Sequence, residues 1–264
     1  MISPNILAVI SKTDGIGWTI VEKDYFLTLL LDSISSTQIL HDSLVFKGGT
    51  ALRKVYFSTY RYSEDLDFTL KREFGSDEIK SLFEDALAYL KKEYNANLRI
   101  KEFNSKSHFT DIKVQFVGLK GNKNTIALDL SPSEIIVDAP AESKIFNAYY
   151  QKSFSVLAYT LEEITAEKLR SLLQRTRVRD YYDLWHLLTQ TKKLDRNKVA
   201  TIFAKKIAYK KIKFEGKEQF FDIEKLAQAQ AYYQAQVGNQ LRHPPTFQKI
   251  SEELKEAVGQ LVLD

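Results

Sequence analysis

Between Phe46 and Leu70 the chain reads FKGGTALRKVYFSTYRYSEDLDFTL, an order of residues that few folds can accommodate. Leu44-Val45-Phe46 predicts a short buried strand, broken by Gly48-Gly49, with Thr50 as the N-cap of a helix from Ala51 to Phe57. A Gly-Gly-Thr turn between strand and helix exposes backbone N–H groups at a helix N-terminus, where orphan donors and the helix dipole favour a phosphate. Glycine suits such a turn because a ligand must approach the backbone closely. Fifteen residues after Thr50 comes Asp65-Leu66-Asp67, and Leu66 to Leu70 reads as a strand by alternation. Residues i and i+2 of a strand face the same side, so the two carboxylates can share a hard divalent cation. Gly48, Gly49 and Thr50 are therefore expected to bind phosphate, and Asp65 and Asp67 to bind metal. Either feature alone is common on protein surfaces; together, across one short helix, they point to phosphoryl chemistry.

The rest of the chain changes pattern once. A helix is predicted from Glu22 to Ile34, with Tyr25, Phe26, Leu29 and Leu30 at helical spacing. Gly75-Ser76-Asp77 caps another that runs to about Tyr94. Strand-like stretches follow at Leu98 to Phe103, Phe109 to Val117 and Thr125 to Leu130, the last two joined at Gly121-Asn122 as in a hairpin. From Thr160 onward the pattern is helical. Thr160 with Glu163 forms a capping-box signature, and helices fit Asp180 to Thr189, Asp195 to Ala208, Ile223 to Gln236 and Thr246 to Val262. The expected fold is α/β in the α+β sense: a mixed sheet flanked by helices over residues 1–155, then a helical lobe over 156–264. The lobe is expected to complete the active site, with ligands in the crevice between the two.

Composition narrows the function classes. The 264 residues contain no cysteine, which excludes disulfides and thiolate metal sites. The longest apolar run, Tyr25 to Leu31, is far shorter than the ~20 residues of a membrane span, and the N-terminal residues do not form a signal peptide. A cytoplasmic protein without membrane contact is the expectation. The net charge is +4, and residues 156–264 hold 19 Lys and Arg against 14 Asp and Glu. A basic back half suits a phosphate-rich partner.

The motif FKGGTALRKVYF…RYSEDLDF resembles the first motif of the AbiEii/AbiGii toxin family of nucleotidyltransferases, in the DNA polymerase β-like superfamily. Two further stretches share the likeness: Ile20-Val21-Glu22-Lys23-Asp24-Tyr25, and Ala166-Glu167-Lys168-Leu169-Arg170 with Arg179-Asp180-Tyr181-Tyr182-Asp183-Leu184. The superfamily usually has Gly-Ser where this chain has Gly49-Thr50, and threonine keeps the hydroxyl. The resemblance implies an enzyme that moves a nucleoside monophosphate from an NTP, with Mg²⁺ or Mn²⁺, onto an acceptor. It implies a toxin of a type IV toxin–antitoxin or abortive-infection system, an RNA acceptor such as the 3′ end of tRNA, and a cognate antitoxin protein. A protein or small-molecule acceptor, or a non-catalytic NTP-binding regulator, is the alternative.

The resemblance also bears on individual residues. Lys168 is expected to grip the triphosphate or its leaving group, with Asp180, in preference to Asp183, ordering Lys168 or acting as a base. Asp129 is expected as a third carboxylate, on a neighbouring strand, that binds metal or activates the acceptor hydroxyl. From the residues alone, Asp180 and Asp183 equally well stitch a helical hairpin, and Asp129 equally well faces solvent. Lys47, Arg53, Arg61 and Ser63 flank the first motif; Arg61, just before the acidic pair, is the best candidate among them for a phosphate contact. Lys205 to Lys213 places five lysines around Tyr209, which suits an RNA backbone or simply a solvated helix face.

Overall fold

In the computed structural model, residues 1–263 are described, and they divide into two compact units. The first comprises Met1–Glu134 with Pro140–Ala158; the second comprises Ile135–Ala139 with Tyr159–Asp264. The short segment 135–139 thus belongs with the helices, although it lies inside the stretch that forms the sheet unit.

The first unit is a seven-stranded mixed sheet in the order β3-β4-β5-β2-β1-β7-β6. Its strands are β1 (Leu44–Lys47), β2 (Asp65–Leu70), β3 (Leu98–Lys106), β4 (Phe109–Val117), β5 (Lys123–Ser131), β6 (Ala141–Lys144) and β7 (Ser155–Ala158). The β3–β4–β5 meander is antiparallel, as the hairpin signals predict, while β2 runs parallel to β5 and β1 parallel to β7. Gly121 turns the β4–β5 connection with φ of 81°, a left-handed conformation that glycine adopts freely.

One sheet face is apolar. Phe46, Leu66, Phe68, Ile112, Val114, Phe116, Ile126 and Leu128 are fully buried on it. Against it lies α2 (Trp18–Ser36), buried on all sides from Val21 to Ile34 apart from Lys23, as a central helix must be. The Phe26 ring stacks on Phe116 with centroids 4.1 Å apart. Helix α5 (Ser76–Tyr94) packs its Ile79, Phe83, Ala86, Leu87 and Leu90 stripe inward, and Asn95 in the left-handed region (φ 51°) ends it.

Several elements depart from the sequence-based expectation. Helix α2 starts at Trp18 rather than Glu22. An unforeseen helix, α1 (Pro4–Asp14), precedes it, capped by the Ser3 hydroxyl and closed by Gly15 at φ 66°. Strands β6 and β7, and the short helix α3 (Gln38–Ser43), were also not legible.

The second unit is helical: α6 (Leu161–Gln174), α7 (Val178–Trp185), α8 (Arg196–Tyr209), α9 (Ile223–Gln236) and α10 (Phe247–Gly259). Thr160 caps α6 through its hydroxyl, which accepts from Glu163 N. The reciprocal half of the expected capping box is absent. The Glu163 carboxylate instead accepts from the backbone N–H groups of Val137 and Asp138, at 3.2 and 2.9 Å. That contact fixes segment 135–139 to the helices. Among the described residues no helix is long and apolar enough to cross a membrane.

Candidate active site

The glycine turn begins its helix three residues earlier than the sequence suggests. Helix α4 spans Gly48–Ala51, with Lys47 as N-cap, and continues as one wide π-helical turn over Leu52–Tyr56. Gly48 itself has φ of 80°, a conformation costly for any residue with a side chain. A Cβ at Gly48 would also collide with the Asp67 carboxylate. The backbone of the turn and the acid on β2 are therefore in direct apposition, which only glycine permits. Lys47 is the antiparallel partner of Asp67 across β1 and β2, and is itself buried.

Thr50 uses its hydroxyl within the fold. It is fully buried, and its Oγ1 donates to the main-chain carbonyl of Asp65 at 2.5 Å. Its role is to lash the start of the helix to the strand that carries the acids. The Ser63 hydroxyl, buried likewise, donates to Asp65 Oδ1 at 3.3 Å. Arg61 is 2% exposed and gives Nη1 to the carbonyl of Tyr62 at 3.1 Å, so its guanidinium lies inside the fold.

Asp65 and Asp67 stand two residues apart on β2, both half-buried, with Leu66 between them in the core. Asp129 is level with Asp67 on the parallel neighbour β5, and Asp111 is level with Asp129 on β4. Directly paired residues share a sheet face, so Asp65, Asp67, Asp129 and Asp111 all lie on the face opposite the apolar core. Asp129 is exposed. Among the described residues no three or more His, Asp or Glu side chains are grouped closely enough to hold a metal ion, so Asp129 is not drawn into a preformed cluster with the pair.

Behind the turn lies a buried charge network that the sequence did not disclose. Asp24 Oδ2 accepts from Lys54 Nζ at 2.6 Å and from the Tyr149 hydroxyl at 2.5 Å, and its Oδ1 accepts from Arg53 Nε at 3.3 Å. Burial pushes the Asp24 carboxyl up, but the Lys54 and Arg53 charges outweigh it and hold the group below its ordinary value. Burial and the facing Asp24 charge push the Tyr149 phenol well above its usual range. Glu22, fully buried, accepts from Leu119 N at 2.7 Å and from Asn122 Nδ2 at 3.3 Å, anchoring the β4–β5 turn. Glu22 and Asp24 thus tie α2 to the β4–β5 turn and to the glycine helix. The available signal was the placing of Glu22, Asp24 and Asp32 in a helix that is apolar over most of its length.

In the second unit, Lys168 Nζ sits between Asp180 Oδ1 at 2.9 Å and Asp183 Oδ2 at 2.6 Å. Both acids hold the ammonium, and Asp183 is the closer and the more deeply buried. Arg175 approaches Asp180 from the outside at 3.7 Å. Of the five lysines expected on a basic face, Lys206 is withdrawn completely. It is 0% exposed, paired with Glu163 at 2.7 Å and Glu167 at 3.3 Å, and bonded to the carbonyl of Ile135 at 2.9 Å. A lysine inside an apolar helix face must find partners, and a run of identical residues does not reveal which one turns inward.

Comparisons with known proteins agree with this architecture. MenT4, a nucleotidyltransferase toxin from Mycobacterium tuberculosis H37Rv, superposes with a TM-score of 0.71 at 16% identity, over 99% of this chain and 91% of that one. An H. pylori protein with a nucleotidyltransferase designation gives a TM-score of 0.56 at 17% identity, over 87% of this chain and 90% of its own. At such identities the likeness is one of fold. No curated protein sequence matches the chain. The family model described as "Nucleotidyl transferase AbiEii toxin, Type IV TA system" matches residues 29–258. That match takes in the glycine turn, both strand acids and the Lys168 cluster, and the chain belongs to the AbiEii family of nucleotidyltransferase toxins of type IV toxin–antitoxin systems.

Proposed function

We propose that the protein transfers a nucleoside monophosphate from an NTP to the 3′ end of an RNA, tRNA foremost, with Mg²⁺ bound at Asp65 and Asp67. The observation that carries it is the apposition of Gly48 to the Asp67 carboxylate, one face of the sheet bearing both acids. Two carboxylates without a third preassembled ligand suit Mg²⁺, which typically takes one or two carboxylates and leaves its other positions to water and phosphate oxygens. When bound, such a cation neutralises the triphosphate and orients the attacking and leaving oxygens.

The chain's own residues supply the rest. Backbone N–H groups of the Gly48-Gly49 turn receive phosphate oxygens at the start of α4. Thr50 and Ser63 hold Asp65 in place through its carbonyl and carboxylate. Asp129, exposed and level with Asp67, is our candidate to take the proton of the acceptor hydroxyl. Lys168, its ammonium fixed by Asp180 and Asp183, is our candidate to hold the triphosphate. The net positive charge of residues 156–264 supports a polyanionic acceptor.

The test is incubation of the purified protein with total tRNA, Mg²⁺ and each α-labelled NTP in turn. Label entering tRNA, and absent with folded Asp67→Asn protein, is the expected result. Transfer to a protein or small molecule, with none to any RNA, would overturn the acceptor assignment and leave the nucleotidyltransferase chemistry standing.

A further inference from the structure

The sheet face that carries the acids continues across β5, β4 and β3, where Arg99, Asn104, Lys106 and Asp129 are exposed. On it, in register, lie Gln115 and Thr125, then Lys113 and Ala127, then Asp111 and Asp129, with Phe109 two residues beyond Asp111. Across the next pair Arg99 stands level with Gln115, Glu102 with Lys113, Asn104 with Asp111 and Lys106 with Phe109. Strands lie about 4.8 Å apart and rise about 3.3 Å per residue. The acid row Asp67-Asp129-Asp111 is therefore flanked at about 7 Å on one side by Phe109 and on the other by Lys113.

Cations stand on both sides of that row. Lys106 Nζ lies over the Phe109 ring, 5.5 Å from its centroid, and His108 abuts the same ring at 5.1 Å. On the other side Arg99 places Nε and Nη2 on Gln115 Oε1, at 3.1 and 2.9 Å. Lys113 pairs with Glu102 at 2.6 Å while 45% of its side chain stays exposed. An exposed pair of this kind contributes little to stability, so the ammonium is available to exchange Glu102 for a phosphate. A half-buried aromatic among cations, bordering a row of acids, matches how single-stranded nucleic acid is held: bases stack on rings while the backbone tracks positive charge.

We propose that this face of β3–β4–β5 is the docking surface for the single-stranded end of the RNA acceptor, with Phe109 stacking a base beside Asp129 and with Arg99 and Lys113 engaging backbone phosphates. The inference rests on the RNA acceptor assigned under Proposed function, and it adds where that strand lies.

The experiment measures binding of a fluorescent single-stranded RNA, without NTP, to wild type, Phe109→Leu and Arg99→Ala/Lys113→Ala, with Lys80→Ala as a charge control. Stacking and phosphate contacts of ordinary strength predict about tenfold weaker binding for each test variant. The double variant should also lower the slope of log affinity against log salt by about 1.4, while Lys80→Ala leaves both unchanged. In transfer assays the KM for RNA should rise in the test variants with the KM for NTP unmoved. Equal RNA binding by wild type and both test variants overturns the inference, leaving the face to a protein partner. RNA binding that drops as expected, together with no transfer to RNA, supports the surface and removes the catalytic assignment instead. Wild type that binds no RNA overturns both.

Discussion

The carboxylate of Asp67 fills the space in front of Gly48 that a Cβ would need. Two penalties therefore fall on Gly48→Ala: backbone strain at φ 80°, about 1–2 kcal/mol, and displacement of the acid. The variant should fold with lowered stability and lose nucleotide transfer by at least about a hundredfold. Because Asp67 would be pushed aside rather than removed, NTP-dependent metal binding followed by calorimetry should weaken as well. A Gly48→Ala protein with unimpaired transfer would show that the close approach has no bearing on the chemistry.

Thr50 offers a cleaner separation of support from contact. Its buried hydroxyl reaches only the Asp65 carbonyl among the bonds described above. Thr50→Ser should retain activity, whereas Thr50→Val leaves a buried carbonyl short of a donor at a cost of about 1–3 kcal/mol. Urea unfolding reads the stability change. If the KM for NTP rose far more than stability fell, Thr50 would have to touch phosphate after all.

The buried lysine of the second unit predicts a contrast within one helix. Lys206→Met leaves Glu163 and Glu167 facing each other without a cation, which costs about 3–5 kcal/mol. Lys205→Met, next to it and exposed, should stay within about 0.5 kcal/mol of wild type. Thermal melts of the two proteins are sufficient, and equal melting points would contradict the pairing.

His41 gives a pH signature. Its ring nitrogens meet Asp42 at 3.2 Å and Glu142 at 3.1 Å. Burial pulls the imidazole down, but hydrogen bonds to Asp42 and Glu142, with their charges, carry it above its ordinary value of 6.5. A folded value above the unfolded one means stability that is fully present below pH 6.5 and is lost as pH rises through the raised value. The melting-point gap between wild type and His41→Gln should therefore be widest well below pH 6.5 and close as pH rises through the raised value. A gap that widens with pH would refute the assignment.

What the sequence disclosed, and what it did not, follows the physics of each element. Strands β1, β2 and β4 and helices α5 and α9 were legible because their apolar spacing or bounding glycines are strong local signals. Helix α1 was not, since it buries Leu7 alone and so shows no apolar stripe. Strands β6 and β7 have four residues each, too few for alternation to register, and β7 owes its place to Phe46 of a distant strand. At the site, strand alternation correctly put Asp65 and Asp67 on one face. Side-chain direction within the turn was beyond reach: a hydroxyl at Thr50 reads the same whether it faces a ligand or the Asp65 carbonyl. The same holds for Arg61, whose guanidinium turns out to be internal.

Segment 135–139 bears on how such a protein can be inherited and rearranged. It carries the Val137 and Asp138 donors for Glu163, the Ile135 carbonyl for Lys206, and Asp138 for Lys198. The helical unit is thus not a continuous length of polypeptide, and no single crossover in a coding sequence can exchange it without also exchanging β6 and β7. A recombinant joined near residue 156 would bring a foreign α6 and α8 against a native 135–139 segment. Glu163 and Lys206 would then have to be matched across the junction. Shuffling between relatives should be tolerated where those two residues and their loop travel together, and rejected where the cut parts them.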